Sequence, residues 1–259
     1  MHSITLGKGL PTVLLLHGWK QSHVALSPLG DILGDTMSVH LLDLPGFGQS
    51  PNPPKPWGTE DYAEEVVRYI RENKLSNVIL LGHSLGGRIS VRIAAKYPEL
   101  VSGLILIAAH GIPPQRDFSQ QLKIKLLGFF RNILKKSDSF FGTTLFKDFF
   151  VPRFGSRDYL ASGELRETLV KVVNENLSDQ ASKIAAPTVL IYGSKDTEAP
   201  PSIGKQYANL IKDSRYIELP GRDHFPFNGG GAHLCAHHIV GFLKDNGFLN
   251  QVSRGAANV

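Results

Sequence analysis

The chain has 259 residues, 42% of them hydrophobic, enough to bury one full core, alone or with an insertion. Its net charge of +5 is modest, and its Lys and Arg are spread along the chain with some enrichment between Arg116 and Lys147, so a nucleic-acid-binding face is not expected. No stretch is apolar for long enough to cross a bilayer, the start Met1-His2-Ser3-Ile4-Thr5-Leu6 lacks a basic-then-apolar leader, and the single Cys235 excludes an internal disulfide, so a reducing, cytoplasmic setting is the expectation.

Apolar runs at 12–17 (Thr-Val-Leu-Leu-Leu-His), 37–42, 77–81, 103–108, 187–192 and 215–219 predict strands. Most are continuous rather than alternating, the pattern of strands buried on both faces. Helices are predicted over 22–34, 59–73, 85–97, 200–212 and 232–246. Strands alternating with helices make an α/β protein, a mostly parallel doubly wound sheet covered on both sides.

The alternation fails between about 113 and 182, where no strand pattern is evident. Phe118, Leu122, Leu126, Phe129 and Ile133 fall on one helical stripe with Arg131 and Lys135 opposite, and 168–177 predicts a further helix. We expect a helical cap inserted at 113–182 into a core made of 1–112 and 183–259, with the sheet edge as apolar partner for the stripe. A basic amphipathic helix of this kind also suits a membrane surface. Residues 51–56 read as a Pro-rich surface loop.

Gly82-His83-Ser84-Leu85-Gly86 is a G-x-S-x-G match between a buried strand and a helix that Pro98 stops. A serine at that corner is lifted out of the sheet, and its neighbours two residues away must be small, which Gly82 and Gly86 satisfy. The helix that follows aims its first N–H groups and positive dipole end at the corner. The alternative is a strand–turn–helix whose glycines serve packing only.

A serine hydroxyl is a weak nucleophile, so it needs a base and the base an orienting acid, in the chain order Ser, acid, His at the ends of later strands. The run at 187–192 leads into Gly193-Ser194-Lys195-Asp196, and 215–219 leads into Pro220-Gly221-Arg222-Asp223-His224. Asp196 and His224 are therefore the expected acid and base, both on the edge that carries Ser84. Asp223 adjoins the base and has little reach around to its ring; Asp213 enters a strand at the wrong edge. His233, His237 and His238 belong to the last helix, where surface histidines are ordinary. His233 and His237 bracket Cys235 four residues apart, but the glutamate of the zinc motif H-E-x-x-H is missing, and no metal site is expected.

An oxyanion needs two N–H donors. The amide of Leu85 is one, and the loop Leu16-His17-Gly18-Trp19 offers the other at Trp19, with Gly18 permitting the bend. His17 and His83 are expected to fix these loops by hydrogen bonds.

With Ser84, Asp196, His224 and the His-Gly-Trp loop, the chain resembles the α/β-hydrolase superfamily, in its compact branch with a helical cap between the sixth and seventh strands. The resemblance also covers Asp43-Leu44-Pro45-Gly46-Phe47-Gly48-Gln49-Ser50, a structural turn of that family. It implies a serine hydrolase without a cofactor, taking a small-molecule acyl substrate and water: Ser84 as nucleophile, His224 as base, Asp196 as acid, Trp19 and Leu85 as oxyanion donors. A carboxylic ester is the first-choice substrate. The same residues serve C–C hydrolases of ring-cleavage diketones and cofactor-free perhydrolases, and a triad-bearing ligand sensor or a lipase working at a membrane surface are further alternatives. The serine argues against haloalkane dehalogenases, which use aspartate there. The triplet Gly229-Gly230-Gly231 is a departure, because relatives begin a more polar helix at that point.

Overall fold

The computed structural model describes residues 1–113, 118–150, 153 and 157–249. Seven strands among them form one sheet in the order β1-β3-β2-β4-β5-β6-β7: β1 Ser3–Leu6, β2 Thr12–Leu16, β3 Ser38–Leu42, β4 Val78–His83, β5 Val101–Ile107, β6 Thr188–Gly193 and β7 Ser214–Leu219. Every neighbouring pair is parallel except β1 with β3, where Ser3 faces Leu42 and Leu6 faces Val39. The six predicted strands are all present, each shifted by at most two residues at an end. Strand β1 went unpredicted because it has four residues, none of them buried, and so carries neither an apolar run nor a hidden face.

The continuous apolar runs have the burial they imply: β4 is buried at all six positions and β6 likewise, while the edge strand β7 buries only Leu219. Helices α1 His23–Gly34, α2 Thr59–Glu72 and α3 Leu85–Lys96 flank the sheet with Pro201–Leu210 (α8) and Gly231–Asp245 (α9). Ser22 caps α1 by accepting from the Val24 amide, and the Asp61 carboxylate reaches back to the Gly58 amide at the head of α2. Fully burying a leucine such as Leu14, Leu80 or Leu106 contributes about 1.5–3 kcal/mol, and these residues make one continuous core through the sheet.

Between β5 and β6 the described residues hold no strand: α4 Phe118–Phe141, a π-helical turn Phe146–Phe150, and helices α5 Arg157–Ala161, α6 Arg166–Asn174 and α7 Ser178–Ala181. In this chain's own count the interruption falls between the fifth and sixth strands. The expected burial of the α4 stripe does not occur: Leu122, Leu126, Phe129 and Ile133 are all exposed. Helix α6 behaves as an amphipathic helix should, burying Thr168, Leu169 and Val172.

Helix α3 crosses β2 at close range. A Cβ on Gly86 would stand 2.0 Å from the Leu16 carbonyl oxygen, a backbone atom that cannot rotate away, whereas one on Gly128 in α4 would meet nothing within 4 Å. Gly86→Ala should therefore lower the urea-unfolding free energy by about 1–3 kcal/mol. Gly128→Ala should raise it by up to about 1 kcal/mol through helix propensity alone. Equal effects of the two changes would contradict this packing.

Candidate active site

Ser84 joins β4 to α3 with φ +50° and ψ −105°, a conformation that costs a non-glycine residue about 1–3 kcal/mol. Two backbone bonds hold it there: Ser84 N–H donates to the Ile107 carbonyl on β5 (3.1 Å), and Gly86 N–H donates to the His17 carbonyl after β2 (3.1 Å). A Cβ on Gly82 would lie 2.4 Å from the Gly86 oxygen, so the turn closes only because both flanking residues are glycine.

The loops after β6 and β7 are joined to each other. Lys195 N–H donates to the Arg222 carbonyl (2.8 Å), and Gly221 N–H to Ser194 Oγ (2.8 Å). This brings Asp196 and His224 together in the protein interior, with His224 Nδ1 2.9 Å from Asp196 Oδ2. The other carboxylate oxygen, Oδ1, accepts the amides of Glu198 and Ala199 at 2.8 Å each. The aspartate is thus fixed on one side by backbone donors and holds the imidazole on the other. Because Nδ1 must donate to the carboxylate, the neutral ring carries its lone pair on Nε2.

Among the described residues no hydrogen bond reaches Ser84 Oγ. His224 Nε2 instead lies 3.6 Å from Glu198 Oε2, a mostly exposed carboxylate. Ser84, Trp19, Leu85, Arg88, His110 and Glu198 all line one cavity of about 640 Å³, to which α6 adds Leu169 and Val172. Neither the Leu85 amide nor the Trp19 amide donates to another described group. The ring of Trp19 borders the cavity and also packs edge-on against Phe47, with centroids 4.9 Å apart.

His17 and His83 brace this arrangement. His17 Nδ1 donates to the Gly18 carbonyl (2.7 Å) while its Nε2 accepts from the Leu44 amide (3.1 Å), tying the two loops together. His83 Nε2 donates to the His224 carbonyl (2.8 Å), so the residue before Ser84 anchors the backbone of the imidazole that faces it. Burial lowers His17 to about 4; burial, and next the neighbouring His224, lower His83 to about 3. Asp43 lies outside the cavity, where its carboxylate accepts the amides of Gln49 and His23 and meets both His2 and His23. Burial alone would raise its pKa, but these donors hold it at about 2.

The other sequence candidates do not converge on Ser84. Asp223 is exposed and folds onto the Phe225 amide; Asp213 is exposed at the entry to β7. On α9, His233 and His237 are exposed while Cys235 is buried against the core, its thiol pushed up to about 12 by burial, so the three do not share a face. The glycine triplet has a conformational reason: Gly229 and Gly230 take φ of +53° and +79°, and a Cβ on Gly231 would lie 1.9 Å from the Pro226 oxygen. Sequence reasoning missed Arg88, His110 and Glu198. Arg88 sits one turn past Ser84 on the same face of α3, buried, with its guanidinium on the Val172 carbonyl (2.8 Å). Its i+4 spacing was a usable signal. His110 follows β5 at the same sheet edge; burial and then Arg88 lower it to about 4.

The sequence profile of the alpha/beta hydrolase fold matches residues 11–229, which include Trp19, Ser84, Leu85, Asp196 and His224. The protein belongs to the α/β-hydrolase fold family. Within that family it is 28% identical over 254 residues to a pimeloyl-[acyl-carrier protein] methyl ester esterase of Shewanella woodyi, covering 88% of this chain and 91% of that protein. Among solved structures, a bacterial membrane phospholipase A superposes with a TM-score of 0.74 at 24% identity, covering 94% of this chain and 82% of that one. An esterase from Exiguobacterium antarcticum superposes with a TM-score of 0.72 at 22% identity, covering 94% and 95%. This α/β-hydrolase also has no helix among its described residues long and apolar enough to cross a membrane.

The buried neutral histidines give this hydrolase a defined acid sensitivity. Their folded-state pKa values lie below the ordinary histidine value, so below about pH 6.5 the unfolded chain binds more protons than the folded one, and stability falls with pH. Asp43, also depressed, adds a second loss between about pH 4 and 2. Urea midpoints should drop steadily from about pH 6.5 to 4; a flat profile over that range would show that these rings are not held neutral.

Proposed function

We propose that the protein is a serine carboxylic ester hydrolase with Ser84 as nucleophile, His224 as general base and Asp196 as the orienting acid, acting on small to medium hydrophobic acyl esters. The observation that carries this reading is the gathering of four parts at one cavity or beside it, His224 standing next to the lining residue Glu198. They are the strained Ser84, the His224–Asp196 pair with its Nε2 lone pair directed away from the carboxylate, and the undonated amides of Leu85 and Trp19. The family membership supports it, as does the likeness to methyl ester esterases across nearly the whole chain.

In the proposed reaction, an ester carbonyl lies over Ser84 with its oxygen between the amides of Leu85 and Trp19. His224 Nε2 takes the Ser84 proton as Oγ forms a bond to the carbonyl carbon, whose π electrons pass to the oxygen and make the oxyanion. The oxyanion collapses, the bond to the alkoxide breaks, and His224 gives its proton to the leaving oxygen. Water then adds to the acyl-enzyme by the same route, releasing the carboxylic acid and restoring Ser84. The Ser84–His224 hydrogen bond forms as substrate enters and the imidazole leaves Glu198, since such bonds are commonly long without substrate and tighten in the complex.

Residues 113–182 act in this reading as a cap. Leu169 and Val172 give the cavity an apolar wall, and α6 is fastened to the core by Arg88 and by Glu175, whose carboxylate accepts from the Thr59 amide (2.9 Å) and from Arg92 (3.1 Å). An apolar wall favours a hydrophobic acyl group.

Ser84→Ala should reduce kcat/KM on aryl esters by about 10³-fold or more, and Asp196→Asn by about 10³–10⁴-fold, with both variants retaining the wild-type melting temperature within a few degrees. Ester hydrolysis by Ser84→Ala at the wild-type rate would refute the assignment.

A further inference from the structure

Residues 118–150 hold eight of the chain's fourteen phenylalanines, and six Lys or Arg against two Asp, a net +4 within a protein of net +5. In an ordinary globular protein such side chains would be buried. Here Phe140 is 82% exposed, Phe141 70%, Phe129 66% and Leu126 58%, with Leu122 and Ile133 also open to solvent. At 3.6 residues per turn, Leu122, Leu126, Phe129, Ile133 and Phe140 run along one line of α4, and Lys125 and Lys136 border that line.

Four described cations of this helix lack a carboxylate to offset them. Asp138 is occupied with the amides of Leu145 (2.9 Å) and Phe146 (2.7 Å) and the Thr143 hydroxyl, and Asp148 with Thr144. Among the described residues Lys125, Arg131, Lys135 and Lys136 have no carboxylate partner, whereas elsewhere Lys96, Arg92, Lys183, Lys205 and Arg215 each do. A large apolar surface bordered by cations without carboxylate partners matches one kind of surface best, an anionic bilayer: its headgroups take the ammonium groups while the rings enter the boundary with the acyl chains. A second copy of this chain would bring the same positive charges face to face. A soluble acidic protein would answer the cations and leave the exposed rings without a partner. Because α4 is not apolar enough to cross a membrane, it would lie along the surface.

We propose that α4 and the turn after it form an interfacial anchor that docks this protein on anionic membrane surfaces. The proposal stands on exposure and charge, independently of the catalytic reading.

Flotation of the full-length protein with vesicles tests it. Vesicles of equal parts phosphatidylglycerol and phosphatidylcholine should carry the protein up the gradient; phosphatidylcholine alone, or the mixed vesicles in 0.5 M NaCl, should bind about tenfold or more weakly. The variant Phe129→Ser/Phe140→Ser/Phe141→Ser and the variant Lys125→Glu/Lys136→Glu should each lose about tenfold or more in partitioning while melting normally. Both should hydrolyse a soluble aryl ester at the wild-type rate, since none of these residues lines the cavity. The proposal is overturned if wild-type protein stays at the bottom with anionic vesicles, if binding ignores salt and both substitution sets, or if the face instead mediates self-association in sedimentation runs without lipid. Capture of an acidic protein without vesicle binding overturns it as well. If the wild type fails to hydrolyse any ester yet floats, the catalytic reading falls and the docking stands.

Discussion

The corner at Ser84 is the constraint on which the rest of the site depends. Placing a serine with positive φ between a buried strand and a helix is possible only where α3 presses against β2, and that approach demands glycine at 82 and 86. The same approach lets Gly86 N–H reach the His17 carbonyl, which draws the Trp19 loop beside the head of α3. One steric requirement thus sets the turn that carries Ser84 and, in the proposed reading, puts the amides of Leu85 and Trp19 at the service of one oxyanion. Preorganised donors of this kind need no reorientation as charge develops, which is where electrostatic catalysis has its advantage.

Buried neutral histidines carry the arrangement outward. His83 follows β4 directly and holds the backbone of His224, while His17 couples the Trp19 loop to Leu44. Each is kept uncharged by burial, so each ring has one N–H, which His17 gives to the Gly18 carbonyl and His83 to the His224 carbonyl. The chain therefore separates two uses of histidine. Those braced between loops are structural, and His224 has its Nδ1 on Asp196 and its Nε2 toward solvent-exposed Glu198. In the proposed reaction the imidazole leaves Glu198 for Ser84, in keeping with catalytic hydrogen bonds that tighten only in the complex.

The fold was legible where burial on both faces leaves continuous apolar runs, as in β4 and β6, and where G-x-S-x-G marks a strand-to-helix corner. It was not legible at β1, whose four residues pair along an edge and bury no side chain. Asp196 and His224 could be chosen over their rivals because strand ends on one edge converge, a topological argument that spacing supports. Glu198 and His110 could not, because their place depends on loop paths that no local pattern encodes. The clearest misreading was of α4. Its period is helical as expected, but a helical period says only that a stripe exists, and nothing in the periodicity says what covers it. The exposed phenylalanines are the answer to a question that the sequence alone leaves open.

The most direct test of the catalytic account is covalent trapping with a hydrophobic alkyl phosphonofluoridate, followed by intact-mass measurement and peptide mapping. A nucleophilic serine primed by His224 and Asp196 should take up one phosphonyl group per chain at neutral pH, on the peptide containing Ser84, with a competing acyl ester slowing the reaction. Absence of any adduct, or a single adduct on another residue such as Ser90, would contradict the account.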